Sequence, residues 1–157
     1  MECNNECTTC QTSCNKTCPI CEKTGLIVNS ATVLNLTNRT DLRLNNKHFI
    51  CTNPKCECVY FDEEYTYAIK KEEVNVPIWF KSRINNYLVC YCKKIYLTEI
   101  IDAVMKLNNP TKEEIIKYLG KESIEQNCLV NNPISKSCDK LFKNAINYAK
   151  ELKERGN

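Results

Sequence analysis

Two tight cysteine pairs, CPIC at residues 18–21 and CTNPKC at residues 51–56, do more than any other feature to fix what this chain can fold into. A strand-sized stretch separates them, so both can close on one tetrahedral ion. Each turn aims two sulfurs inward and exposes backbone N–H groups toward them. Pro19 and the Asn53-Pro54 step mark both segments as turns, which disfavours Cys18, Cys21, Cys51 and Cys56 as ordinary buried thiols. The spacing predicts a zinc site on these four.

The chain carries 13 cysteines in 157 residues, an odd number that suits complete disulfide pairing poorly. Its first residues, MECNNECTTCQTSCNK, are polar and lack the apolar core of a signal peptide. No stretch approaches the roughly 20 apolar residues of a membrane span. The expectation is a reduced, cytoplasmic protein whose thiolates hold metal, with no membrane contact. The formal charge of +3 counts every cysteine as neutral. Two four-thiolate centres, each of net charge about −2, would bring it to about −1, which removes the basic footprint of a nucleic-acid binder.

The character of the sequence changes at about residues 83–88. The segments 25–36, 47–61 and 65–80 are rich in Val, Ile, Tyr, Phe and Thr and predict short strands and hairpins. Beyond the change the period becomes helical. Thr98 can cap a helix over 99–107 with Ile101, Val104 and Met105 toward the core. Thr111 and Glu114 form a capping box for a second helix, which Gly120 can end. A third spans 139–154, where Leu141, Phe142, Ala145, Ile146, Ala149 and Leu152 recur at helical spacing. Neither half has the apolar mass of a large core, so metal would supply the missing stabilisation. The fold class is α+β: a β-rich, zinc-ribbon-like module over 18–85, then a helical module over 86–157, with a flexible cysteine-rich arm over 1–17.

Cys90 and Cys92 stand one residue apart, too close for an unstrained disulfide or an ordinary zinc knuckle. Cys128 and Cys138 are the other cysteines of the helical half. The intervening helices can bring both loops to one end of the bundle, with helix N-termini directed at an anionic centre. Such a site suits an iron–sulfur cluster, and spacing alone leaves zinc as an alternative.

The run CPIC, FICTNPKCECVYF, VCYC followed by TEII, and Cys128 with NPISKSC resembles the N-terminal domain of the CopZ-type copper chaperones over about residues 18–140. The helical half taken alone is similar to the bacterioferritin-associated ferredoxin (BFD) family. The resemblance implies zinc on Cys18, Cys21, Cys51 and Cys56 and a [2Fe-2S] cluster on Cys90, Cys92, Cys128 and Cys138. Three departures stand out. KKIYL, between Cys92 and Thr98, is longer than the family pattern; a single Cys138 stands where relatives often have a double cysteine; and no copper-carrying domain with its own CxxC follows.

Cys3, Cys7, Cys10 and Cys14 would line one face if the arm became helical, a candidate third site for a soft ion such as Cu(I), or else a disordered thiol-rich arm. Cys58 reads as a small buried strand residue, with exchange against Cys56 as the alternative. His48 is the only histidine and reads as a surface or strand residue; it accompanies no nucleophile motif, so hydrolytic chemistry lacks support. Lys93 and Lys94 read as solvated loop charges, or as charges beside the second site. Trp79 and Phe80 are expected where the halves meet. The functional expectation is a one-electron redox protein that passes an electron to a redox partner or a copper-handling protein, with reduction of Cu(II) to Cu(I) as the specific version. An electron-transfer or metal-handling protein is expected in preference to a substrate-turnover enzyme. The alternatives are a non-redox zinc protein that binds nucleic acid or protein, and a metal storage or sensing role.

Overall fold

The runs HFIC and CVYFD contain the aromatic and β-branched side chains that favour a pleated, buried surface. In the computed structural model, which describes residues 15–81, 83 and 85–156, they are the inner strands of an antiparallel sheet. Its strands are β1 (Gly25–Val28), β2 (His48–Cys51), β3 (Cys58–Asp62) and β4 (Ala68–Lys70), and they lie in chain order. Alternation along β2 and β3 divides the side chains between two faces. Phe49, Cys51, Cys58 and Phe61 cluster with Cys18 and Cys56 on one face. Ile50, Tyr60 and Ile69 join Val28, Val33 and Ile78 on the other. A bulge between Cys58 and Tyr60 lets the ladder change register between them.

Gly25 pairs with Cys51 across the β1–β2 ladder. A Cβ there would lie 2.7 Å from the Phe61 ring, so a glycine lets β1 approach the sulfur-bearing strand closely.

The segment 25–36 is only partly extended. Its second part is helix α1 (Ser30–Leu36), which buries Thr32, Val33 and Leu36, Val33 in the same cluster as Ile50, Tyr60 and Ile69 of the sheet. Their spacing is helical, and burial outweighs the strand preference of the β-branched residues. Segment 65–80 is strand only over β4; a short 3-10 turn, Lys71–Glu73, and irregular chain follow.

The second half opens with a two-stranded hairpin, β5 (Leu88–Cys90) and β6 (Ile95–Tyr96). Helices α2 (Leu97–Lys106), α3 (Lys112–Tyr118), α4 (Cys128–Asn131) and α5 (Asp139–Arg155) follow. KKIYL thus turns the hairpin and starts the helix, with Lys94 in the left-handed region at φ 50°. The N-terminus of α2 is held by Glu99, whose carboxylate accepts from the Tyr96 N–H at 2.8 Å. Because α2 begins at Leu97, its buried stripe is Leu97, Ile100, Ala103 and Val104; Met105, expected in the core, is exposed. The Thr111–Glu114 box forms as expected, and Gly120, at φ 64°, ends α3. Phe142, Ala145, Ile146 and Ala149 of α5 pack with Ile100, Val104 and Ile115 in a separate core.

Trp79 sits where the halves meet. The Tyr91 hydroxyl, between Cys90 and Cys92 in sequence, donates to the Pro77 carbonyl at 2.6 Å and accepts from the Trp79 N–H at 3.2 Å. From the other side, the Tyr60 hydroxyl donates to the Pro133 carbonyl at 2.9 Å.

Candidate metal centres

The turn at Cys18–Cys21 and the turn at Cys51–Cys56 face each other across one end of the sheet. The Sγ atoms of Cys18, Cys21, Cys51 and Cys56 all lie within 4.8 Å of one another. The Cys18–Cys56 and Cys21–Cys51 separations are 3.9 and 3.6 Å. Zinc–sulfur bonds of about 2.3 Å in a tetrahedron set sulfurs about 3.8 Å apart, so the set fits one such ion. Among the described residues no other group of three or more such ligand atoms is as compact.

Backbone N–H groups converge on these sulfurs, as at the Ile20 N–H, 3.5 Å from Cys18 Sγ. At Cys21, burial pushes the thiol up, but hydrogen bonds from the Lys23 N–H, the Asn53 side chain, Cys51 and Cys56 outweigh it and bring the pKa to about 6. Burial pushes Cys51 up to about 12 against the Asn53 N–H. A metal would therefore displace protons from some of these thiols as it binds. Lys81 supplies a buried positive charge nearby, its Nζ donating to the Asn53 carbonyl at 2.7 Å and the Cys56 carbonyl at 3.4 Å. Cys58 is buried beside the set on β3 and donates to the Tyr60 carbonyl. His48 is buried on the opposite sheet face, hydrogen-bonded through Nδ1 to the Tyr67 hydroxyl, and takes no part in the sulfur set.

The second set is arranged differently. Cys92 and Cys128 Sγ are 3.8 Å apart. Cys90 interacts most strongly with Cys138, and among the described residues no three of these four sulfurs share the 4.8 Å spacing of the first set, so they stand as two pairs rather than one compact group. Two pairs suit a core of two metals, each bound by two sulfurs, better than one tetrahedral ion.

Donors surround these sulfurs. The Asn127 N–H is 3.3 Å and Asn131 Nδ2 3.7 Å from Cys92 Sγ, and Gln126 Nε2 is 3.6 Å from Cys128 Sγ. The hydrogen bond from Cys138 brings the Cys90 thiol to about 6 against the effect of burial, helped by the Lys93 N–H and the Lys112 charge. The same contact with Cys90, together with burial, pushes Cys138 up. Cys138 caps α5, and Lys112 Nζ lies 3.9 Å from its sulfur while bonding Asp139 at 2.5 Å.

Lys93 is not a solvated loop charge: it is buried, and its ammonium group donates to the carbonyls of Lys121, Glu122 and Ile124. It thereby fixes the loop that delivers Asn127 and Cys128. Lys112, Gln126 and Asn131 were not singled out by sequence reading, because nothing local marks a polar side chain that reaches a sulfur on another element. Cys3, Cys7, Cys10 and Cys14 lie outside the described residues.

Residues 15–75 match the zf_CopZ family model, a zinc binding domain. Copper chaperone CopZ of Archaeoglobus fulgidus is 26% identical over 122 residues, which are 77% of this chain and 57% of that protein. The chain thus spans little more than half the length of this curated relative. The X-ray structure of the Archaeoglobus fulgidus CopZ N-terminal domain superposes with a TM-score of 0.61 at 25% identity, covering 82% of this chain and 96% of that one. The first half is thus similar to a zinc-binding domain of the CopZ type, and the mixed α/β fold, with its small antiparallel sheet, resembles the CopZ N-terminal domain. Among the described residues no helix is long and apolar enough to cross a membrane.

Proposed function

We propose that this chain handles copper with a structural zinc ion and a one-electron iron–sulfur centre. Cys18, Cys21, Cys51 and Cys56 would hold the zinc, and Cys90, Cys92, Cys128 and Cys138 a [2Fe-2S] cluster. The observation that carries this reading is the contrast between the sets: four sulfurs gathered within 4.8 Å of one another in the first, and two sulfur pairs that do not close into one such group in the second. A cluster bound there would supply one reversible electron.

The chain's own residues suit that task. N–H groups from Asn127, Asn131 and Gln126 face the sulfurs, and the Lys112 ammonium group lies beside Cys138. Both features favour the more negative, reduced state. Cys92 and Cys128 are partly exposed while Cys90 and Cys138 are buried, which leaves one edge open to an acceptor. One electron leaving by that edge would reduce one Cu(II) to Cu(I). Cys3, Cys7, Cys10 and Cys14 offer soft sulfur ligands for the product ion. The thiols require a reducing compartment such as the cytoplasm.

Anaerobic, dithionite-reduced protein freed of excess reductant should convert about one equivalent of Cu(II) to Cu(I), read with a Cu(I)-specific chelator, as its visible absorption recovers. Cys92→Ala protein should lose this fast phase. An equal yield at an equal rate from Cys92→Ala would mean that free thiols do the reduction, and would contradict the copper reading.

A further inference from the structure

Helix α1 belongs to the β-rich half, yet its polar face is bonded to α4, which begins at Cys128, and to the loop that follows it. The Asn29 N–H donates to Ser135 Oγ at 2.8 Å. Thr32 Oγ1 lies 2.7 Å from both Ser135 Oγ and the Leu129 carbonyl. A carbonyl only accepts, so the Thr32 hydroxyl proton goes to Leu129 and the Ser135 proton to Thr32. Thr32 is fully buried, and Ser135 holds a left-handed φ of 55°, a conformation this chain of bonds fixes in place.

One turn further along α1, Asn35 Nδ2 donates to Asn131 Oδ1 at 3.0 Å. The other end of the Asn131 amide, Nδ2, faces Cys92 Sγ at 3.7 Å. An amide has two unlike ends, and whichever group binds one end decides what the other presents. Asn35 offers a donor, its NH2 group also reaching the Val130 carbonyl at 3.5 Å, so the Asn131 oxygen turns to it and the NH2 group of Asn131 is left for the sulfur.

We infer that Asn35 is a positioning residue for the second sulfur site: it fixes the Asn131 amide as a hydrogen-bond donor to Cys92. The zinc-binding half thereby sets a property of the electron-carrying half. This inference rests on the cluster reading above. A donor to a cysteine sulfur stabilises the extra negative charge of the reduced state, so it raises the reduction potential. Aspartate at position 35 only accepts; the Asn131 NH2 would turn to it, and the oxygen would face Cys92.

The test is redox titration of the full-length holoprotein, with iron and zinc counted in each variant. Asn35→Asp should keep its metals and titrate at a more negative potential than the native protein. Asn131→Leu should shift it the same way. In the Asn131→Leu background, adding Asn35→Asp should produce little further shift, because there is no amide left to reverse. A shift as large in that background as in the native one would show a through-space charge effect and overturn the inference, as would an unchanged potential in Asn35→Asp alone. If Asn131→Leu fails to hold iron, ionic strength separates the causes. A shift that shrinks in high salt is the charge effect and overturns the inference, whereas one that persists supports it. Native protein that contains zinc but no iron would instead overturn the cluster reading, and this inference with it, before any variant is compared.

Discussion

Cys51→Ala is expected to release the zinc and unfold the β-rich half. Cys51 is fully buried at the end of β2, and its sulfur lies 3.6 Å from that of Cys21. Among the described residues, the buried cluster around it has Phe49 and Phe61 as its large apolar side chains, the rest being cysteine. Such a face provides little hydrophobic stabilisation of its own. A structural zinc ion contributes about 10–16 kcal/mol to folding, which matches or exceeds the whole stability of a small domain, about 5–15 kcal/mol. Removing one ligand should therefore leave the sheet protease-sensitive and the protein without bound zinc. Cys58→Ala is the matched control. That thiol is equally buried, and burial pushes its pKa up so that it stays protonated, but it stands outside the compact set. Its loss should cost about 1 kcal/mol and leave zinc at one equivalent. Zinc content and limited proteolysis read both outcomes; a Cys51→Ala protein that kept zinc and resisted protease would remove the metal from this site.

Cys138→Ala is expected to have the opposite pattern, abolishing the iron while sparing the zinc. Cys138 is buried at the start of α5, its thiol coupled to that of Cys90 and 3.9 Å from the Lys112 ammonium group. Without it one of the four sulfurs is lost, and iron occupancy should fall by more than about tenfold, since even outer-shell changes cost 10–100-fold in affinity. The helices should survive. Phe142, Ala145, Ile146 and Ala149 keep α5 packed on Ile100, Val104 and Ile115 by contacts that do not involve sulfur. Circular dichroism should therefore change little while the visible absorption disappears. If Cys51→Ala and Cys138→Ala removed the same metal, the division into two sites would be wrong.

The cysteine turns were legible because their information is local. CPIC and CTNPKC carry both the sulfurs and the turn residues that aim them, and the four sulfurs meet as the spacing implies. Thr111 and Glu114 likewise contain the whole N-terminus of α3 within one helical turn. Residues 30–36 were misread as extended because Thr32 and Val33 favour strands when isolated, whereas the burial of Val33 on the sheet and of Thr32 against residues 129–135 is a tertiary effect. Lys93 was misread for a related reason. A lysine in a loop is normally solvated, and only the fold brings three carbonyls of residues 121–124 around its ammonium group. The contacts of Asn29, Thr32 and Asn35 with residues 129–135 join distant parts of the chain and have no motif at all. KKIYL, a departure in length, proved to be the turn and second strand of a hairpin that leads directly into α2.

The central claim is that the two sulfur sets hold different centres, one ion and one redox-active pair. Metal analysis combined with electron paramagnetic resonance on protein purified without oxygen tests it most directly. The account predicts a red-brown protein with iron and zinc at about 2:1, bleached by dithionite, whose reduced form gives the signal of a one-electron-reduced [2Fe-2S] cluster. A colourless protein containing zinc alone, silent after dithionite, would contradict it.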